Sequence, residues 1–170
     1  MLMGALANFL KRNTAKLMKN NIKLLVMGDL DRFSQSLRDL LIDIREKTNS
    51  NSGLIVNLAL NYGSRFEIAR AAKDIAEEVN RGSLDINSID ENKFSQFLYT
   101  KDLPDPDLLI RTSCEMRISN FMLWQLSYAE LYFSKKFWPD FTPQDFKKAI
   151  REYQKRERRF GGTHALTPSN

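Results

Sequence analysis

The stretch Leu109-Ile110-Arg111-Thr112-Ser113-Cys114-Glu115-Met116-Arg117-Ile118-Ser119-Asn120-Phe121 sets two guanidinium groups and a hydroxyl between an apolar run and a run of helical spacing. Guanidinium groups make charge-assisted, often bidentate bonds to phosphate oxygens, and a helix start adds unpaired N–H groups at the positive end of its dipole. Arg111, Arg117 and Ser119 therefore outline an anion site, with Ser119 placed to cap the helix or to touch a ligand. On spacing alone a structural reading competes: Arg111 paired with an Asp or Glu, and Ser119 an ordinary cap.

Other reactive side chains point elsewhere. Asp102, Asp105 and Asp107 are spaced like an aspartate-rich metal motif, but Pro104 and Pro106 force an extended path, which disfavours a metal role. His164, the one histidine, reads as a tail residue. The single cysteine, Cys114, excludes a disulfide framework and a multi-cysteine zinc site, and a reducing, cytoplasmic setting follows as the default.

Alternating elements must position these groups. Ala5 to Asn20 reads as a helix, Ile22 to Met27 as a buried strand closed by Gly28 and Asp29, and Ser34 to Lys47 as a second helix. Leu54 to Leu60 reads as a strand ending at Asn61, Tyr62 and Gly63. Ser64 and Glu67 then form a capping-box pattern opening a helix that runs to Gly82. A shorter helix is expected from Asp90 to Tyr99, a strand over Leu108 to Ile110, a helix from about Asn120 to Tyr128, and a strand near Leu131 to Phe133. Thr142, Pro143 and Asp145 mark the last helix start. The alternation predicts an α/β fold, a largely parallel sheet flanked by helices, in one domain over residues 1–162 with a flexible tail at 163–170. In such sheets ligands gather at the carboxyl ends of strands, which puts Gly28, Asn61 and Arg111 on the functional rim.

The composition of the 170 residues, 42% hydrophobic and 28% charged, is that of a folded globular protein and excludes a disordered or collagen-like chain. No apolar run approaches the roughly 20 residues of a membrane-spanning helix. The net charge of +5 is concentrated in an acid-free front end, Lys11 to Lys23, and in a run from Lys147 to Arg159. Solvated helix faces are the ordinary reading of both runs. The aromatic-rich basic signatures of RNA-binding modules are absent, so nucleic acid is not expected as a partner.

The stretch from Leu109, continued through Phe121-Met122-Leu123-Trp124-Gln125-Leu126-Ser127-Tyr128-Ala129-Glu130-Leu131-Tyr132-Phe133, closely resembles the cis-prenyltransferase family, the undecaprenyl diphosphate synthases of bacteria in particular. Asn61-Tyr62-Gly63 with Arg65 and Glu67, Trp138-Pro139-Asp140-Phe141, and Arg156-Glu157-Arg158-Arg159-Phe160-Gly161-Gly162 resemble further blocks of that family in the usual order, so the likeness runs from about Phe9 to Gly162. With this resemblance the diphosphate reading of the arginines takes precedence. It implies Mg²⁺-dependent cis-condensation of isopentenyl diphosphate onto an allylic diphosphate such as farnesyl diphosphate, giving a polyprenyl diphosphate such as undecaprenyl diphosphate, the cell-wall lipid carrier precursor. It also implies a homodimer, and a product that associates with the membrane, where the enzyme would be peripheral.

Carried over position by position, the resemblance assigns Arg111, Arg117, Ile118 and Ser119 to the isopentenyl diphosphate site and Glu130 to magnesium. Arg159 and Gly161 match a carboxyl-terminal element that reaches the neighbouring subunit's site, against which a solvated basic tail is the alternative. Cys114 stands where the family usually has glycine. The family opens with an Asp-Gly-Asn phosphate loop, and no Asp-Gly-Asn occurs in this sequence. The resemblance therefore implies that about the first third of a usual synthase, with the allylic diphosphate site and its metal-binding aspartate, is not here. A chain inactive alone is expected. A non-catalytic partner subunit of a heteromeric cis-prenyltransferase is the alternative, against which the intact Arg111 to Glu130 block argues.

Overall fold

The computed structural model describes residues 2–156, and the chain forms two compact units, Met1–Asp102 and Leu103–Asn170. In the first, helix α1 (Leu2–Lys19) leads into strand β1 (Lys23–Met27), helix α2 (Gln35–Lys47) and strand β2 (Ile55–Ala59). The strands pair in parallel, from Lys23 opposite Ile55 to Met27 opposite Ala59. A parallel pair needs a crossover, and α2 supplies it. Side chains alternate across a strand, so Leu24 and Val26 of β1 share a face with Val56 and Leu58 of β2. That face packs with Leu10 of α1 and with Leu37, Leu41 and Ile44 of α2, which recur at helical spacing.

Thr48 fastens this layer. It is fully buried just past the end of α2, and its Oγ1 donates to the Ile44 carbonyl at 2.8 Å and accepts the Leu24 N–H of β1 at 3.1 Å. Gly53 makes the turn into β2 possible, since a Cβ there would lie 2.4 Å from the Asn21 carbonyl oxygen.

Helix α3 (Ser64–Asn80) follows β2, but the expected capping box does not form. Gly63 is the N-cap, which makes Ser64 the first helical residue and moves Glu67 one place past the position a capping box requires. Glu67 turns inward instead. Its carboxylate, fully buried, accepts the Tyr62 hydroxyl at 2.5 Å and the Tyr99 N–H at 2.7 Å, tying the loop after β2 to the turns after α4 (Glu91–Ser95). Helix α4 stops well short of the expected Tyr99. The Arg70 guanidinium lies 4.3 Å over the Tyr99 ring and donates to the Phe97 carbonyl. Burial pushes the Tyr99 phenol above its usual value, with Arg70 opposing.

In the second unit, β3 (Leu108–Arg111) and β4 (Glu130–Phe133) pair in parallel, from Leu108 opposite Glu130 to Arg111 opposite Phe133. Helix α5 (Pro143–Tyr153) opens as the sequence predicts: the Thr142 hydroxyl accepts the Asp145 N–H at 3.3 Å and Asp145 returns the bond to the Thr142 N–H at 2.8 Å. The fold is α/β with parallel strand pairs and helices. The helix expected from Asn120 to Tyr128 is absent. Ser119, Asn120 and Met122 take left-handed φ values of 51°, 62° and 48°, which break a right-handed helical run at its start, and the segment forms successive turns. Among the described residues no helix is long and apolar enough to cross a membrane.

Candidate diphosphate site

Arg111 is the last residue of β3, and the loop beyond it is laced to the segment following β4. The Ser113 N–H donates to the Lys136 carbonyl at 2.7 Å, the Cys114 N–H to the Ser134 carbonyl at 3.1 Å, and the Ser134 N–H to the Arg111 carbonyl at 2.7 Å. These bonds hold Ser113 and Cys114 at φ values of 70° and 57°. Cys114 thus adopts, at a cost, the conformation that glycine takes without penalty, which accounts for the glycine that the resemblance places at this position.

The loop brings both predicted arginines onto one carboxylate. Glu115 receives Arg111 Nη2 on Oε2 and Arg117 Nη2 on Oε1, the latter at 2.6 Å. Arg111 Nη1 also donates to the Arg117 carbonyl at 2.6 Å. The two guanidinium groups therefore converge on a single carboxylate, which is the Arg–Glu pairing that competes with the anion site on spacing alone. Arg111 is 25% exposed and Arg117 65%, which leaves the pair open to a ligand from solvent. Ile118 is half-buried and Ser119 exposed. No helix follows Ser119, so the expected contribution of a helix start to anion binding is withdrawn, and the charge of the site comes from the arginines.

Glu130, expected at magnesium, opens β4 and accepts Arg156 Nη1 at 2.7 Å, while the same nitrogen bonds the Leu131 carbonyl at 3.0 Å. Mg²⁺ takes six oxygens, usually one or two carboxylates with substrate phosphates and water. Among the described residues no three His, Cys, Asp or Glu side chains gather to hold a metal. As placed here, the Glu130 carboxylate is engaged by Arg156 and would have to exchange that arginine to serve a metal. Arg159 and Gly161 lie outside the described residues.

Two participants escaped the sequence reading. Glu115 was legible in principle, being four residues after Arg111 and two before Arg117, whereas Arg156 meets Glu130 only through the fold. In the first unit, Gly28 and Asn61 do sit together at the carboxyl ends of β1 and β2. Asn61 donates to the Asp29 carbonyl at 3.0 Å, and an open cleft of about 270 Å³ is lined by Asp29, Arg32, Asn61, Tyr62, Gly63 and Phe66. Gly28 is obligatory there: its φ is 118°, and a Cβ would lie 2.0 Å from the Leu60 carbonyl oxygen.

Residues 1–161 match the prenyltransferase family model for undecaprenyl diphosphate synthase. An isoprenyl transferase of Clostridium perfringens is 45% identical over 161 residues, covering 95% of this chain and 64% of the relative. A ditrans,polycis-undecaprenyl-diphosphate synthase, (2E,6E)-farnesyl-diphosphate specific, from Haemophilus influenzae is 48% identical over 162 residues, covering 95% of this chain and 68% of the relative. The crystal structure of lavandulyl diphosphate synthase from Lavandula x intermedia, in complex with dimethylallyl diphosphate, superposes with a TM-score of 0.90 at 38% identity, over 94% of this chain and 70% of that one. The chain spans under two thirds of the length of the clostridial relatives, 64% and 63%.

Proposed function

We propose that this chain, which belongs to the undecaprenyl diphosphate synthase family of prenyltransferases, supplies the isopentenyl diphosphate site of a cis-prenyltransferase. The observation that carries the reading is the convergence of Arg111 and Arg117 on one anionic point at the carboxyl end of β3. A diphosphate brings several negative charges, and two guanidinium groups held by a laced loop neutralise them without having to be gathered first. Ser119 offers a hydroxyl to the same group and Ile118 an apolar contact to the isopentenyl chain.

The reaction served is condensation of isopentenyl diphosphate with an allylic diphosphate, farnesyl diphosphate by analogy with the Haemophilus relative's name. The chain's own residues hold and orient the isopentenyl partner; that orientation converts a meeting of two substrates into an aligned approach. The enzyme would act in the cytoplasm as a homodimer, with its lipid product passing to the membrane.

Equilibrium binding of radiolabelled isopentenyl diphosphate tests the reading. Loss of one charge-assisted bond costs roughly 1.5 to 3 kcal/mol, so Arg117→Ala is expected to bind about tenfold or more weakly. Equal binding by the two proteins would reject the assignment.

A further inference from the structure

We infer that Glu115 is a built-in stand-in for the diphosphate, a gate that selects multiply charged ligands by making them displace a carboxylate. The inference rests on the diphosphate reading of Arg111 and Arg117. Both carboxylate oxygens are used, one on each guanidinium, so the geometry a diphosphate needs is already filled from within the loop. Glu115 is itself 35% exposed, and Cys114 before it and Met116 after it are exposed, so the Glu115 side chain has a path to solvent that crosses no packed core.

The selection follows from charge. A ligand that takes the arginines from Glu115 gives up one carboxylate's pairing and then faces that displaced negative charge. For a singly charged anion the exchange returns no more than it removes. A diphosphate, with two or more charges and oxygens enough to serve both guanidinium groups at once, gains more than Glu115 gave up. Glu115 therefore lowers affinity for every anion by a similar factor, a threshold that only a ligand charged enough to serve both guanidinium groups clears. It touches the binding groups and leaves the substrate itself alone.

Calorimetric titration of the full chain with inorganic pyrophosphate, inorganic phosphate and isopentenyl diphosphate tests this. Glu115→Gln keeps the side chain's size and removes its charge, and is expected to bind pyrophosphate about two- to fivefold tighter, the scale of an exposed charge pair. Phosphate should gain by a similar factor, which brings a ligand held too weakly by the wild type into the measurable range. Glu115→Asp, which keeps the charge but is too short to span both guanidiniums, should fall between. Isopentenyl diphosphate should follow pyrophosphate, which places the gain on the shared diphosphate; a gain for phosphate and pyrophosphate alone would overturn the gate as a device of this substrate. Unchanged or weaker pyrophosphate binding in both variants would overturn it too, showing Glu115 to be a scaffold for the arginines. Arg117→Ala separates the two failures: if it loses binding while the Glu115 variants gain nothing, the gate fails and the site stands, and if no protein binds pyrophosphate, both fall.

Discussion

Replacing Thr48 by Val removes one oxygen from the best-connected point of the first unit and nothing else of consequence. The Thr48 side chain is fully buried, and its Oγ1 is the acceptor for the Leu24 N–H at 3.1 Å. Of its two donated bonds, that to the Arg45 carbonyl is long at 3.4 Å, and the main one, to the Ile44 carbonyl, is backed by the Thr48 backbone N–H at 3.0 Å, so that acceptor stays satisfied in the variant. The Leu24 N–H does not. A buried donor left unpaired costs about 1 to 3 kcal/mol, which for a chain of this length lowers Tm by about 2 to 12 °C. Thermal and urea unfolding followed by circular dichroism measure the loss. Thr48→Ser, which keeps the oxygen and gives up a methyl, should lose only about 1 kcal/mol. If Thr48→Val unfolds within about 0.5 kcal/mol of the wild type, the bridge from α2 to β1 does not carry the stability assigned to it.

Cys114→Gly should stabilise the chain by about 0.5 to 1 kcal/mol in urea unfolding, since it relieves a left-handed residue costing about 1 to 2 kcal/mol and returns part of the gain as unfolded-state entropy; a loss would mean the thiol's contact with the Lys135 carbonyl outweighs the strain. Asp145 is held well below the usual carboxylate range, first by the Thr142 hydroxyl and then by Lys136. Because its folded value is depressed, its contribution is complete above the unfolded value near 3.8 and disappears as pH falls through the folded one. Asp145→Asn should therefore be less stable than wild type at neutral pH, with the gap closing only below pH 3.8, and a gap independent of pH would contradict this. The 170-residue polypeptide, incubated with radiolabelled isopentenyl diphosphate, farnesyl diphosphate and Mg²⁺, is expected to form no lipid product, because the Glu130 carboxylate expected at magnesium is engaged by Arg156; product abolished by Glu130→Ala would refute this.

Apolar runs located the four strands found among the described residues, and the Thr142-Pro143-Asp145 start was legible because each of those residues acts on its own neighbours. The same kind of signal misled at Ser64 and Glu67, where a shift of one residue in the helix start turned a surface cap into a buried carboxylate. Phe121, Leu123, Trp124 and Leu126 suggested a helix, but hydrophobic spacing carries no information on the sign of φ at Ser119, Asn120 and Met122. In the candidate site, charge and sequence proximity revealed Arg111 and Arg117. Glu130's partner was hidden because Arg156 reaches it from beyond α5, a contact only the tertiary fold creates.

In the proposed function Arg111 and Arg117 hold one diphosphate together. Guanidinium Nε resonances of the ¹⁵N-arginine-labelled chain, assigned through Arg→Lys variants and followed during titration with isopentenyl diphosphate, report on each arginine separately. The account predicts that Arg111 and Arg117 shift together along one saturating curve as both exchange Glu115 for the ligand, while Arg81, paired with Glu77 and Glu78 in the first unit, stays in place. Saturation with Arg111 and Arg117 unmoved, or with only one of them responding, would contradict it.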